Sequence, residues 1–156
     1  MLLKPLFFYL ILTTITATAN AQDGGYKLFR SFTVADGLPS NNIYTCVEDN
    51  YGFLWVATDA GIARFDGKHF QTFTTKDGLP DNEVLDVVNE KNGRIWVNCF
   101  KQSPAYFDYI KNKFINAKED NLLAKVTGTN ILNVTPLLNG GVMYSNENGS
   151  HFFENE

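Results

Sequence analysis

The segment DGLPSNNIY at residues 36–44 returns as DGLPDNEVL at residues 77–85. The same offset of 41 residues relates Trp55 to Trp96, so the similarity extends well beyond these two segments. A third, weaker copy lies at an offset of 88, where Met143 takes the place of Trp55. Self-similarity at a fixed period of about 40 residues indicates a fold built from repeated units.

Each unit predicts short β-strands. In the first unit, runs rich in β-branched and aromatic residues cover residues 43–48, 53–58, 62–65 and 69–73, a pattern typical of strands. Turn sequences such as Asp-Ala-Gly and Asp-Gly separate these runs, because glycine adopts a positive φ without a steric penalty. Only residues 117–125 suggest a short turn of helix.

Four short antiparallel strands per unit, with aromatic residues once per unit, are typical of a β-propeller blade. A β-sandwich also has evenly spaced short strands, but it does not predict a repeat of fixed length. We therefore predict an all-β fold, a partial β-propeller of about three four-stranded antiparallel blades. The segment Tyr26–Thr33 resembles the run at residues 69–74, so we expect it to form an orphan outer strand.

A signal peptide is predicted before the propeller. Lys4, the apolar residues 5–15 and the small residues 19–21 are typical of a secretory signal, and we expect the exported chain to begin at Gln22. The predicted domains are the signal peptide 1–21, a linker with the orphan outer strand 22–35, the first blade 36–76, the second blade 77–125 and a partial third blade 126–156.

The composition narrows the classes of partner. The chain has 156 residues, a formal net charge of -4 and no run of Lys or Arg, which argues against nucleic acid or an anionic membrane surface as a partner. Beyond the signal, no apolar stretch reaches the roughly 20 residues that span a bilayer. The two cysteines, Cys46 and Cys99, occupy unequal places in the repeat, so we expect buried free thiols and no disulfide.

The repeated DGLP motif is interpreted as the connection between blades, because it follows the outer strand of one unit and precedes the inner strand of the next. Leu38 and Leu79 are expected to tuck between neighbouring sheets. Asn42 or Asn82 is expected to tie the loop to the strand that begins there. The motif therefore marks the start of each blade and is not in itself a binding site.

The tryptophans at the repeated position are interpreted as core residues. Trp55 and Trp96 are flanked by alternating apolar residues, and Met143 replaces them in the third unit. A sugar-binding aromatic platform would not tolerate that replacement readily, whereas packing between sheets would.

The motifs DGLPSNNIY, EDNYGFLWVATDAGIARFDG and the second DGLP followed by NGRIWV resemble the two-component regulator propeller repeat. The resemblance covers residues 27–109 well and residues 126–156 weakly. It implies the non-catalytic periplasmic sensor region of Bacteroidetes-type histidine kinases, which binds or transmits a cue such as a glycan fragment or another small periplasmic ligand. It also implies a parent sensor anchored in the inner membrane, with this chain as an N-terminal fragment truncated before the membrane and kinase parts.

The search for chemistry assigns no catalytic, cofactor-binding or metal-binding residue, and no cofactor. The two histidines, His69 and His151, lack the spacing of metal ligands, and the aspartates of the repeat fall at turns, where capping explains them. Candidate ligand-contacting positions on the loops are four polar residues for which a turn or strand-edge role is also open: Asn41, Asn42, Asp59 and Arg64.

Two alternatives remain open from the residues. The first is a freestanding exported interaction protein that completes a propeller by oligomerising, with further blades supplied by another copy of the chain. The second is an exported propeller enzyme acting on polysaccharides. Exposed sheet faces and an unpaired strand also lead us to expect marginal stability and aggregation of the isolated chain.

Overall fold

The computed structural model describes residues 29–126 and 131–154, with the backbone alone at residues 131 and 132. It separates into two compact units, residues 1–30 and 31–156. In the first unit only Phe29 and Arg30 are described, and the predicted signal peptide lies outside the described residues. Within the described ranges, no helix has the length and apolar character needed to cross a membrane.

The first sheet has four antiparallel strands in sequential order. They are β1 (Ile43–Glu48), β2 (Leu54–Thr58), β3 (Gly61–Phe65) and β4 (Phe70–Phe73). Each strand lies within one residue of the predicted run. The tight turn between β2 and β3 requires Gly61, whose φ is 130° and whose missing side chain leaves room for the backbone of Phe73.

The second sheet repeats this order with β5 (Val84–Asn89), β6 (Ile95–Cys99), β7 (Ala105–Asp108) and β8 (Lys113–Ile115). One of its three connections is longer than its counterpart in the first sheet. Residues 100–104 join β6 to β7, where only residues 59 and 60 join β2 to β3.

The third sheet has three described strands, β9 (Ile131–Pro136), β10 (Val142–Asn146) and β11 (Gly149–Phe153), with β11 at one edge. Gly149, with a φ of 135°, repeats the conformation of Gly61, which supports the weak third copy in the sequence. Three antiparallel sheets of four, four and three strands confirm the all-β fold and the partial propeller. The only helical segments in the described ranges are single 3-10 turns.

The inner strand of each sheet carries a β-bulge at the same place in the repeat. The pairing of β1 with β2 shifts between Ile43 and Thr45, and that of β5 with β6 shifts between Val84 and Asp86. The pairing of β9 with β10 shifts opposite Ser145 and Asn146. A bulge turns the strand and increases its local twist, so the shared position gives the three inner strands one shape.

The DGLP connectors, residues 33–42 and 74–83, each begin with a 3-10 turn that the sequence analysis did not predict. The two turns are Val34–Asp36 and Thr75–Asp77, and each is closed by a capping box from the preceding threonine to the aspartate. Gly37 and Gly78 follow with φ of 107° and 93°, as the bend requires. Leu38 and Leu79 are buried, which confirms that they tuck against the sheets.

The asparagine that closes each connector does not tie the loop to the following strand, contrary to the expectation for Asn42 or Asn82. Asn41 accepts a hydrogen bond from the Val34 amide at 3.0 Å, and Asn82 accepts one from the Thr75 amide at 2.9 Å. The asparagine therefore ties the loop back onto the 3-10 turn and not onto the strand that follows. Asn41 and Asn82 are equivalent at the repeat offset of 41, whereas Asn42 makes a different contact.

The core between the first two sheets is aromatic and is built around Trp55. Its side chain is fully buried, with ring centroids 5.6 Å from Phe73 and 4.8 Å from Phe107. Trp96 repeats this role between the second and third sheets, where it packs against Tyr144 and Phe153 at 5.8 Å and 5.3 Å. The structure thus assigns both tryptophans to the core.

A buried carboxylate accompanies each tryptophan and crosses to the next sheet. Asp49 accepts hydrogen bonds from the Trp55 indole at 2.8 Å and from the Tyr109 hydroxyl at 2.7 Å. Glu90, at the equivalent position, accepts from the Trp96 indole at 2.8 Å and from the Gly141 amide at 2.9 Å. Such charge-assisted hydrogen bonds fix the relative positions of successive blades.

The predicted orphan outer strand is not observed where the structure describes it. Residues 29–33 have no strand structure, and Tyr26–Leu28 lie outside the described residues. Phe32 nevertheless packs on Phe65 and Phe70, with centroids 4.9 Å and 5.3 Å away. Phe73, its repeat equivalent, packs in the same way on the second sheet, at 5.1 Å from Phe107. The packing of an outer-strand residue is therefore retained, but a strand requires a hydrogen-bonding neighbour, and no described strand pairs with this segment.

Cys46 and Cys99 are both free, as expected, but only Cys99 is buried. Burial raises the pKa of the Cys99 thiol to about 12, which leaves it an inert neutral side chain. Cys46 lies on β1 and is exposed, so the expectation of burial was wrong for it.

Candidate functional site

Polar side chains from the first two blades meet at one end of the sheets. Because the strands are antiparallel, the connector that precedes β1 and the turn between β2 and β3 lie at the same end, which we call the connector face. There the Asn42 side chain donates a hydrogen bond to the Asp59 carboxylate at 2.7 Å. The Tyr44 hydroxyl donates to the Glu83 carboxylate at 3.0 Å, which links the first blade to the second connector. These four residues form the connector-face cluster.

The electrostatics of this cluster are those of a polar, exposed surface. Hydrogen bonds from Asn42 and Ser40 lower the pKa of the Asp59 carboxyl. The hydrogen bond to Glu83, followed by burial and by the nearby charges of Glu83 and Asp59, raises the pKa of the Tyr44 phenol. The cluster therefore offers an ionised Asp59 carboxylate and a neutral phenol. One Asp59 oxygen, Oδ1, lies out of contact with solvent and has no hydrogen-bond partner in the structure.

The structure brings only two of the four predicted positions together. Asn42 and Asp59 belong to the connector-face cluster, whereas Asn41 closes the connector. Arg64 lies between the first two blades, where its guanidinium sits 4.8 Å from the centre of the Phe53 ring. It donates to Gln71 at 2.7 Å and to Asn112 of the next blade at 3.2 Å. These contacts make Arg64 a packing residue.

The remaining titratable groups do not form a catalytic arrangement in the described part of the chain. His69 precedes β4 in an exposed turn, 3.7 Å from Asp66, and His151 lies on β11. No three histidine, cysteine, aspartate or glutamate side chains of the described ranges converge as metal ligands. Turn capping accounts for Asp66 and Asp108, since each accepts backbone amides at 2.6 to 3.0 Å.

Sequence reasoning missed Tyr44, Glu83 and Asp86. Tyr44 and Glu83 are 39 residues apart and meet only through the packing of successive blades, so no local pattern signals their contact. Asp86 is half-buried on β5, where burial raises the pKa of its carboxyl. A carboxylate inside a strand run was a detectable departure from the repeat, because the equivalent residue in the first unit is Thr45.

Comparisons with known proteins find similarity to components of two-component signalling systems. Residues 37–60 match the family model of the two component regulator propeller, which confirms the resemblance in the first repeat. A stretch of 61 residues, 39% of the chain, is 33% identical to Histidine kinase P4 of Formosa agariphila. That stretch corresponds to 4% of the length of the kinase.

Solved structures show the same fold. The extracellular domain of the hybrid two component system BT3049 from B. thetaiotaomicron has a TM-score of 0.65 and 28% identity, over 83% of this chain and 18% of that one. The extracellular domain of BT4673 from the same organism has a TM-score of 0.61 over 83% of this chain and 19% of that one, and its 18% identity supports the fold alone. The chain thus spans about a fifth of these extracellular domains.

Proposed function

We propose that this chain is a non-catalytic, periplasmic sensory segment of a two-component signal-transduction receptor. The observation that carries the proposal is a propeller fold that shares 28% identity over 83% of the chain with the extracellular domain of a hybrid two component system. In this proposal the membrane and kinase parts belong to a longer receptor, which anchors the propeller at the inner membrane. The signal peptide 1–21 directs export.

The sensory surface in this proposal lies on loops that a rigid scaffold carries, as propellers and other β-folds commonly arrange their binding sites. The connector-face cluster supplies exposed hydrogen-bonding groups, and the buried Trp55 fixes the relative position of the first two blades behind it. A glycan fragment or another small polar ligand of the periplasm suits such a surface, because hydroxyl groups pair with carboxylates, amides and phenols. The surface has no arrangement of nucleophile and base, which favours binding over the enzyme alternative.

Reading the gene beyond codon 156 tests the proposed function. We expect further propeller repeats, a membrane helix and a histidine kinase in the same reading frame. A genuine stop codon that is followed by no related reading frame would contradict a receptor. Sequencing the N-terminus of the exported chain tests localisation independently, since cleavage should leave Gln22 first.

A further inference from the structure

A cavity of about 310 Å³ lies on the connector face at the outer part of the second blade. The second connector supplies one wall through Thr75, Leu79 and Pro80. The loop 100–104 supplies the opposite wall, and the residues that follow β8 supply the third. All three walls belong to the first two blades and their connectors, so the cavity does not depend on the open edge of the third sheet.

This cavity is formed where the second unit departs from the repeat. A two-residue turn suffices to join β2 to β3, whereas residues 100–104 join the equivalent strands β6 and β7. Lys101 in this loop has a φ of 50°, which is an uncommon conformation for a residue other than glycine. A blade does not require the longer loop, and loops that exceed the needs of the scaffold are common places for binding.

Polar side chains that line the cavity are left without partners in the protein. Gln102 and Ser103 are half-buried, and in the described part of the chain no side-chain hydrogen bond involves either residue or the Thr75 hydroxyl. Buried polar groups normally have a hydrogen-bond partner in the protein or in water, so these half-buried groups are available to a ligand. The wall behind them is fixed, since Asn116 donates to the Gly78 carbonyl at 2.8 Å and accepts from the Lys118 amide at 2.9 Å.

The charge of the lining is positive. Lys118 is its one ionisable side chain, and it forms no ion pair in the described ranges. The neighbouring carboxylate of Glu119 is neutralised by Lys113 at 2.7 Å. An ammonium group beside an amide and two hydroxyls suits an anion that also carries hydroxyl groups, while Leu79 and Pro80 give the cavity an apolar floor.

We propose that this cavity binds a small, hydroxyl-bearing monoanion, with its carboxylate or sulfate at Lys118 and its hydroxyl groups at Gln102, Ser103 and Thr75. The volume is near the lower limit of ligand pockets, about 300 Å³, and therefore admits one ring-sized unit. The inference rests on the proposed sensory function and adds to it a second site on the connector face with its own ligand chemistry.

Titration of the ¹⁵N-labelled exported chain with sodium glucuronate, glucose 6-sulfate and neutral glucose tests the proposal. We expect saturable shifts of the Gln102 side-chain amide and of the Ser103 and Lys118 backbone amides with at least one anion. Glucose should bind at least about tenfold more weakly, since it lacks a charge-assisted hydrogen bond. A response to glucuronate alone identifies a carboxylate ligand, and a response to the sulfate alone identifies a sulfated one.

Matched charge variants complete this experiment. Lys118→Gln should weaken binding of the anion about tenfold, whereas Lys68→Gln, an exposed lysine in the turn between β3 and β4, should leave it unchanged. Gln102→Ala provides a second test that retains the charge, and it should also weaken binding. The proposal is wrong if no anion saturates, if Lys118→Gln binds as the parent does, or if Lys68→Gln weakens binding equally.

The receptor function and the anion site can be rejected independently of each other. If the gene continues into a kinase but the probes do not bind, the receptor function stands and this site is rejected. If the probes bind at Lys118 but no kinase follows, the site stands and the receptor function is rejected.

Discussion

Asp49 and Asp86 illustrate at the residue scale how environment sets the role of a carboxylate. Burial raises the pKa of Asp49, but hydrogen bonds from Trp55, Tyr109 and two backbone amides outweigh burial and lower the pKa below its usual value. Burial of the Asp86 carboxyl outweighs the hydrogen bond that it accepts from the Val87 amide, so its pKa is raised. Ionisation of Asp49 therefore stabilises the folded state, whereas ionisation of Asp86 destabilises it.

Substitution of these two aspartates by asparagine should change stability in opposite directions. At pH 7 Asp49→Asn should lower the free energy of unfolding by about 2 kcal/mol, because it weakens buried charge-assisted hydrogen bonds. Asp86→Asn should raise the free energy of unfolding, because burial destabilises the ionised carboxylate and asparagine carries no charge. Urea denaturation at pH 7 measures both changes.

The pH dependence supplies the control for this pair. A lowered pKa in the folded state gives stability that is present above the unfolded value of about 3.9 and is lost as the pH falls through the folded value. A raised pKa gives stability that is present below about 3.9 and is lost as the pH rises through the folded value. Asp49→Asn should therefore reduce the acid sensitivity of unfolding, and Asp86→Asn should not. Equal effects of the two substitutions at pH 7 would refute this assignment.

The connector is the element that recurs with least change, and its glycines show which parts of it are tightly packed. Gly37 and Gly78 both adopt positive φ. A Cβ on Gly37 would meet the Phe70 side chain at 3.4 Å, whereas one on Gly78 would collide with the backbone carbonyl of Phe114. The second connector is thus held against its blade more closely than the first.

Alanine substitution at the two equivalent glycines tests this difference. Gly37→Ala should cost about 1–2 kcal/mol of stability, the penalty of a left-handed conformation for a residue with a Cβ. Gly78→Ala should cost distinctly more, because a backbone carbonyl cannot move aside as a side chain does. Thermal or urea unfolding of the two variants side by side gives the comparison, and equal costs would show that the packing at Gly78 is not a constraint.

Local patterns in the sequence predict the strands of the first unit but do not predict the contacts that join one blade to the next. Alternation of β-branched and aromatic residues is a local property, so the strands of the first unit were placed within one residue. The capping boxes at Thr33 and Thr74 are also local, and the threonine followed three residues later by aspartate was a readable pattern. The contacts of Glu90 with Gly141 and of Tyr44 with Glu83 depend on blade packing, which no local pattern reports.

At the scale of the whole molecule, the blades are joined by a repeated polar link as well as by the aromatic core. The Asn50 side chain donates to the Lys91 carbonyl at 3.3 Å, and the Lys91 ammonium donates to the Leu138 carbonyl at 3.0 Å. Positions 50, 91 and 138 are equivalent in the three units. The side chain of Leu138 at the third position cannot donate a hydrogen bond, so this series of side-chain links ends there in the described chain.

The third sheet presents an edge that favours association. β11 is the outermost of its three described strands, and the Phe152 side chain on it is 61% exposed. An unpaired strand with an exposed aromatic residue is a template for pairing with another chain. This observation favours the alternative in which copies of the chain associate, and it also leads us to expect marginal stability of the isolated monomer.

Light scattering on the purified chain should show association that grows with concentration, and Phe152→Lys should reduce it, because a charge on an edge strand opposes pairing. Ile110→Lys is the matched control, since Ile110 is equally apolar and 99% exposed but lies in a turn. A monomer with a sharp, cooperative thermal transition would contradict both the association and the marginal stability. If Phe152→Lys and Ile110→Lys reduce association equally, the cause is exposed apolar surface in general and not the edge strand β11.

The sequence by itself determined the class of fold, the repeat length, the strands and the core role of Trp55, because periodic patterns of apolar residues and turn residues are local and recur with each unit. Only the tertiary structure decided which polar residues act together. It separated Asn41 and Arg64, which serve packing, from Asn42 and Asp59, which share the connector-face cluster. It also revealed the cavity between the second connector and the loop 100–104. Such sites are formed by residues that are distant in sequence, and their positions follow from how one blade packs on the next.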